Sequence, residues 1–391
     1  MKSRVSIALI GYKFMGKAHS NAYRDAGLFF DLPLIPEMKI ICGRNPSGLA
    51  EAQKRFGWKD TETDWKKVIR RNDIDLVDIS SPPDTHRDIA VEAAKEGKAI
   101  FCEKPLALNI ADASAMLEAA EKYGVVHAVC FNYRKLPAIR LAKKIISEGR
   151  IGEIRHIRAV YLQDWLLSPE FPLVWRLRRA SAGSGSHGDL NVHLVDMARY
   201  LIGEFESVIG MDKTFIQERP LLKEEANTLA TEIETSSHHA KKGRVDVDDA
   251  MLFLARFVNG AIGSFEASRF ASGRKNYQRF EINGSRGSLL FNLERLNELE
   301  FYSLDTSPET QGFTLINATD SVHPDADSFW PVGHLIGYGD TFTIMVKDLI
   351  QAIAEKKEVS PNFLDGIAAQ RVLDAVEESI RREKWIKVSS P

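Results

Sequence analysis

The chain has 391 residues, 44% hydrophobic and 27% charged, a composition that excludes disordered and low-complexity scaffolds. Lys plus Arg (52) and Asp plus Glu (54) nearly cancel to a formal charge of −2, so the basic excess of a nucleic-acid binder is missing. No apolar run approaches the ~18–20 residues that span a bilayer, and the Val5–Ile10 run is too short for a signal-peptide core. Cys42, Cys102 and Cys130 show no C-x-x-C spacing and read as reduced thiols. A cytoplasmic enzyme of two or three domains, bound to neither nucleic acid nor membrane, is expected.

Val5–Ile10 is an unbroken apolar run of strand length, ended by Gly11. A helical pattern follows over 15–26, then apolar Met38–Cys42, and a helix from Pro46 that Gly57 would cap. Next come a strand at 76–80, a helix at 84–96, a strand at 98–102, a helix at 109–123 and a strand at 125–131. Short apolar strands alternating with helices of about 10–15 residues mean βαβ units and a parallel sheet covered on both faces. Residues 1–132 are therefore expected to form a doubly wound α/β domain, and 133–391 a second domain.

After Arg134 the rhythm changes. A helix (138–148) leads into alternating strands over 154–165, 250–258, 261–269, 279–284 and 287–293, with Asn259-Gly260 as a hairpin turn. Strands joined by short turns predict an antiparallel sheet with one face left uncovered, and such a face finds a partner in a homodimer or homotetramer. Helices are expected at Asp189–Leu201 and at about 365–381. The polar stretch 216–245 reads as a long excursion, either a lid or a mobile segment.

Gly11-Tyr12-Lys13-Phe14-Met15-Gly16 closes the first strand and opens the first helix. Gly11 allows the tight turn, Gly16 lets helix and strand pack closely, and the helix N-terminus offers N–H groups to a pyrophosphate. Lys13 stands where the middle glycine of G-x-G-x-x-G belongs; it either crowds the phosphate or swings out and adds charge. A tight turn with no ligand is the plain alternative. At the end of the second strand the sequence reads Cys42-Gly43-Arg44, with no carboxylate for ribose hydroxyls, which leans the cofactor toward NADP(H) over NAD(H).

Further polar residues follow predicted strands, where open α/β sheets bind ligands: Ser81-Pro82 with His86, Glu103-Lys104-Pro105, and Asn132-Tyr133-Arg134. The glycine-rich lead Gly183–Gly188 precedes Asp189 and His193, which are four apart and so share one helical face. Asp196 either orients His193 or faces another element. Trp175 and Arg176 lie in the connection toward this helix and are assigned to the cofactor, with Gly11, Lys13, Phe14, Met15, Gly16, Gly43, Arg44, Ser81, Pro82, His86, Glu103, Lys104 and Asn132. Tyr133, Arg134, Gln163, Asp164 and Trp165 supply the aromatic faces, amides and acids that a polyhydroxylated ring requires. His238-His239 with Asp246, Asp248 and Asp249 lack metal-ligand spacing, and no metal is expected.

The set GYKFMGKAHS, SPPDTH, EKPLA, FNYR, GSHGDLNVH and GYGDTF, in this order, resembles the Gfo/Idh/MocA oxidoreductases. Within that family, YLQDW, the AGSG lead, VDVDD and the tail are most similar to the levoglucosan dehydrogenase group. The resemblance implies an N-terminal Rossmann domain, a C-terminal domain with a large, open, mostly antiparallel sheet, and NAD(P)-dependent oxidation of a sugar, anhydrosugar or cyclitol hydroxyl. It also implies Lys104, Asp189 and His193 as the catalytic residues, His193 taking the hydroxyl proton while Lys104 bonds the same oxygen. A redox-neutral glycosidase that uses NAD transiently and a non-catalytic nicotinamide-binding regulator are the rival readings.

Overall fold

The computed structural model describes residues 3–221 and 241–389. Its first part runs β1 (Arg4–Ile10), α1 (Phe14–Phe29), β2 (Ile35–Cys42), α2 (Pro46–Phe56), β3 (Asp60–Glu62), α3 (Trp65–Ile69), β4 (Leu76–Ile79), α4 (His86–Lys95), β5 (Ala99–Cys102), α5 (Ile110–Tyr123) and β6 (His127–Val129). The strands form a six-stranded parallel sheet in the order β3-β2-β1-β4-β5-β6, the doubly wound arrangement of dinucleotide-binding folds. Its strands are apolar throughout because helices cover both faces: β4 and β5 are buried at every residue. Gly57 caps α2 in the left-handed conformation (φ +87°), as its position predicts. The short β3 and α3 are not legible in the sequence pattern.

The chain continues through α6 (Pro137–Ser147), β7 (Ile154–Leu162), α7 (Arg179–Ala182), α8 (Val192–Leu201), β8 (Phe205–Lys213), β9 (Glu218–Pro220), β10 (Lys242–Arg244), β11 (Ala250–Phe257) and β12 (Ile262–Ser268). It ends with β13 (Tyr277–Gly284), β14 (Gly287–Asn292), β15 (Glu298–Ser303), β16 (Thr314–Asn317), α9 (Tyr338–Glu355), α10 (Phe363–Arg382) and β17 (Ile386–Lys387). A nine-stranded sheet has the order β16-β15-β14-β13-β7-β12-β11-β8-β17; β7 and β12 pair in parallel, the other neighbours antiparallel. From Met251 to the end of β11 burial alternates, with Leu252, Leu254 and Arg256 outward and Met251, Phe253, Ala255 and Phe257 in the core. Gly260 (φ +88°) makes the predicted hairpin between β11 and β12. At the base of the expected excursion β9 pairs with β10; residues 222–240, including His238 and His239, lie outside the described residues. No helix among the described residues is long and apolar enough to cross a membrane.

Although α9 follows β16 of the second sheet in the chain, it packs against α1 and contributes Phe342, Met345, Val346, Leu349 and Ile350 to the core shared with Ile7, Leu9 and Ala26. Each such side chain contributes roughly 1.5–3 kcal/mol on burial, so the first sheet depends on a helix from the far end of the chain. The three cysteines are free and buried.

At the start of α10 the Phe363 N–H donates to His127 Nδ1 (3.1 Å), and burial lowers the His127 pKa to about 4. The unfolded imidazole takes up a proton as the pH falls below ~6.5, whereas the folded one stays neutral down to about 4. Stability present above pH 6.5 is therefore lost progressively on acidification, with His127 accounting for on the order of 2 kcal/mol. Urea titrations at pH 7 and pH 5 should differ less for His127→Gln than for the parent chain; an identical difference would contradict this account.

Candidate active site

The chain turns at Gly11 with φ +107°, and a Cβ there would lie 2.6 Å from the Ser80 backbone; at Gly16 a Cβ would lie 2.3 Å from the Gly11 carbonyl oxygen. Only glycine draws the loop this close to the β4 turn and the helix this close to the loop. Helix α1 starts at Phe14 with no side-chain hydrogen bond from its N-cap, Lys13, so its first N–H groups remain available to an anion. They open onto a cavity of about 1780 Å³.

Gly11, Lys13, Phe14, Met15, Gly43 and Arg44 line this cavity from the first loop and the end of β2. From the ends of β4, β5 and β6 come Ser81, Pro82, Glu103, Lys104, Asn132 and Tyr133. Trp175, Arg176, Asp189 and His193 close it from the second part of the chain, with Gln163, Asp164 and Trp165 just past β7. Arg176 Nη1 and Arg269 Nε are buried without a hydrogen-bond partner, and both residues line the cavity. A glycine cradle and a helix N-terminus fit the pyrophosphate of a dinucleotide.

Three expected site residues are placed elsewhere. His86 is fully buried outside the lining, with Nδ1 bonded to the Leu106 carbonyl (3.1 Å) and Nε2 to the Ser81 carbonyl (2.9 Å); it ties the two ligand-facing turns together. Arg134 points away from the cavity into a buried ion-pair network, its Nε on Asp196 Oδ2 (2.8 Å) and Nη2 on Asp365 Oδ1 (3.0 Å). A guanidinium so matched by two carboxylates is not offered to a substrate, and Asp196 is thereby committed to Arg134 and not to His193. Gly16 acts through packing and does not line the cavity.

Lys104 lies two residues past β5, in a turn whose Lys104–Pro105 peptide is cis. Its Nζ donates to the Asp189 carbonyl (2.9 Å) and to Asp189 Oδ1 (3.2 Å). Asp189 sits in a π-helical turn, His187–Asn191, and not in the regular helix the four-residue spacing implies; α8 begins only at Val192. Such turns recur at functional sites because the wider coil re-aims a carbonyl and its side chain. Burial raises the Asp189 pKa, but the charges of Lys104, Arg176 and Arg269 outweigh it and hold the carboxyl at about 2. His193 faces the same cavity, its ring 4.7 Å from that of Tyr133. Burial, and then the Lys104 charge, lower its pKa well below 6.5, so the imidazole is neutral at neutral pH. Tyr133 supports this ring and donates to Tyr161, whose hydroxyl bonds Asn276 Oδ1 (2.8 Å) together with Gln163 Nε2 (2.8 Å). Asp164 is held by Lys275 (2.8 Å).

The turn carrying Asp189 is anchored by a residue outside the site that the sequence predicts. Asp248, 2% exposed, accepts from Gly185 N (2.6 Å), Ser186 Oγ (2.6 Å) and His187 N (2.9 Å). Gly185 has no room for a side chain, since a Cβ would lie 1.7 Å from the Asp248 carbonyl oxygen. Asp248→Ala would strip these bonds and is expected to lower stability by about 3 kcal/mol, as well as kcat; a denaturant midpoint equal to that of the parent would contradict the assignment. Asp246 and Asp249 likewise bond backbone N–H groups, of Arg179 and of Phe215 and Ile216. A second unforeseen residue is His19, fully buried beneath the cavity between Asp78 and Glu103. His19, Glu103 and Cys130 bring three potential metal-ligand atoms within 4.8 Å of one another, but the direct bonds of His19 to the two carboxylates already occupy both its nitrogens.

Comparison with known proteins gives a consistent result. Residues 5–131 match the oxidoreductase family with an NAD-binding Rossmann fold, and residues 139–290 match the GFO/IDH/MocA C-terminal domain. Levoglucosan dehydrogenase of Pseudarthrobacter phenanthrenivorans is 45% identical over 386 residues, 98% of each chain. A solved levoglucosan dehydrogenase in complex with NADH and levoglucosan superimposes with a TM-score of 0.92 at 44% identity, covering 99% of this chain and 100% of that one. An oxidoreductase domain protein from Kribbella flavida gives 0.93 at 47%, with the same coverage.

Proposed function

The chain belongs to the Gfo/Idh/MocA oxidoreductases, and we propose that it is an NAD(H)-dependent dehydrogenase acting on a CH–OH group of a sugar, anhydrosugar or cyclitol. The observation that carries this reading is the meeting of Lys104, Asp189 and His193 in the wall of the cavity that receives the α1 N-terminus. Neutral His193 accepts the hydroxyl proton. The Lys104 ammonium hydrogen-bonds the same oxygen and stabilises its negative charge as the C–H bond weakens. Asp189 holds Lys104 in place and offers its second oxygen to a neighbouring hydroxyl. The nicotinamide ring, when bound, supplies the hydride acceptor. Arg176 and Arg269, which line the cavity, keep Asp189 ionised, and the shelf of Gln163, Asn276 and Trp165 receives the sugar ring.

Similarity along the whole chain to levoglucosan dehydrogenase makes an anhydropyranose the first substrate to test. Arg44 at the end of β2 supports acceptance of the 2′-phosphate of NADP(H), whereas solved relatives hold NADH. The outward side chains Met211, Leu252, Leu254 and Ile262 make an apolar patch on β8, β11 and β12, and we assign it to a symmetric homo-oligomer. Three buried thiols fit a reducing, cytoplasmic setting.

The test is a nicotinamide-absorbance screen of anhydrosugars, sugars and cyclitols with NAD⁺ and NADP⁺. Sustained reduction with at least one of them is expected. Cleavage of a glycoside without net reduction, or binding of nucleotide without turnover, would replace this reading with the glycosidase or the regulator.

A further inference from the structure

His19 lies on α1, and both its ring nitrogens face carboxylates. Nδ1 lies 2.9 and 2.8 Å from the two oxygens of Asp78 on β4, and Nε2 lies 3.0 Å from Glu103 Oε1 in the turn after β5. Tyr23 donates its hydroxyl to Asp78 (2.7 Å), Cys130 Sγ sits 3.8 Å from Nε2, and the rings of Phe101 and Phe342 cover the imidazole. His19 and Asp78 are 0% exposed and Glu103 4%.

A neutral imidazole has one N–H and satisfies only one of two flanking anions. The other carboxylate would then have to take a proton itself or face a lone pair out of reach of water, which is costly. Burial works against a charged His19, but the Asp78 charge and the bonds to Asp78, Cys130 and Glu103 outweigh it and raise the pKa well above 6.5. Glu103 shows the complementary effect: burial raises its pKa, while the His19 bond and charge, then Lys104, bring it below the usual value. The other oxygen of Glu103, Oε2, accepts the Lys104 backbone N–H (3.0 Å), and both residues line the cavity. An unbroken chain of contacts thus runs from Asp78 through His19 and Glu103 to Lys104 and Asp189.

We propose that His19 is a positioning residue: an imidazolium held between Asp78 and Glu103 that keeps Glu103 ionised in the cavity wall and so fixes the turn aiming Lys104 at Asp189. This rests on the reading of Lys104 as a catalytic residue. The groups facing His19 are Asp78 on β4, Glu103 and Lys104 after β5, Cys130 after β6 and Tyr23 on its own helix, with Tyr338 of α9 next to Glu103.

Two substitutions separate this role from packing. In His19→Asn the amide nitrogen falls near Nδ1 and keeps the Asp78 bond, but Glu103 Oε1 loses its donor. In His19→Gln the nitrogen reaches the Nε2 position and keeps the Glu103 bond. Misplacement of a catalytic group by an ångström costs about 100-fold, so His19→Asn should lose about that factor in kcat with little change in KM. The acid limb of its kcat/KM profile should move to higher pH, because a buried Glu103 without the His19 charge protonates more readily. His19→Gln should keep the parent profile and lose less than about ten-fold. Equal losses in both variants with an unmoved profile would overturn the proposal.

A measurement independent of turnover is the ¹⁵N spectrum of the His19 ring in the unsubstituted protein. Both nitrogens protonated at pH 7 is the expected result; a neutral tautomer at pH 7 overturns the proposal even if dehydrogenase activity is found. Imidazolium in a chain that turns over no polyol would overturn only the functional reading beneath it.

Discussion

Lys104→Met is expected to abolish turnover, with kcat falling by at least about 1000-fold, while NADH still binds with affinity close to that of the parent. Methionine preserves the length of the stem but removes the ammonium that bonds the Asp189 carbonyl and carboxylate at 2.9 and 3.2 Å. Without it the reacting oxygen has no cation to stabilise its developing charge, and a preorganised donor in a water-poor site carries a large share of catalysis. The effect on binding is small because the α1 N-terminus, the Gly11 turn and Arg176 are untouched. Fluorescence titration of NADH alongside the absorbance assay checks both halves, and a variant that still turns over would contradict the assignment.

His193→Asn is expected to lower kcat/KM by about 100- to 10,000-fold, the usual range for a positioned base. The pH profile of the parent chain gives a finer check. Because burial and the Lys104 charge lower the His193 pKa, its neutral, proton-accepting form persists well below pH 6.5. The rate should therefore stay level between pH 6.5 and 8 and fall on the acid side only as the pH drops through that lowered value. An unperturbed histidine would instead give an acid limb near ~6.5. In Lys104→Met any residual activity should show this limb displaced upward, since the nearby positive charge is gone. A limb at pH 6.5–7 in the parent chain would contradict the buried, neutral base.

The first sheet is legible in the sequence because parallel strands covered on both faces leave continuous apolar runs, and because Gly11, Gly43 and Gly57 mark its turns. Lys104 is legible for a local reason, standing in the turn that follows the β5 strand. What escapes the sequence depends on partners far along the chain. Arg134 has the look of a substrate cation until Asp196 and Asp365 surround it. His86 stands beside a ligand turn, yet its ring is spent on the Ser81 and Leu106 carbonyls. The π turn under Asp189 is held by Asp248, and neither residue type nor spacing near Asp189 reveals it. His19 finds its carboxylates 59 and 84 residues later. Helix α9 carries a polar stripe of Lys347, Asp348, Gln351 and Glu355, but its packing on α1, more than 300 residues earlier, has no mark in the local pattern.

The central claim is that Lys104 and His193 serve one hydroxyl. A crystal structure of the complex with NADH and a bound polyol tests it most directly. One substrate oxygen is expected within about 3.2 Å of both Lys104 Nζ and a His193 ring nitrogen. Separate oxygens for the two residues, or a sugar bound out of reach of either, would contradict it.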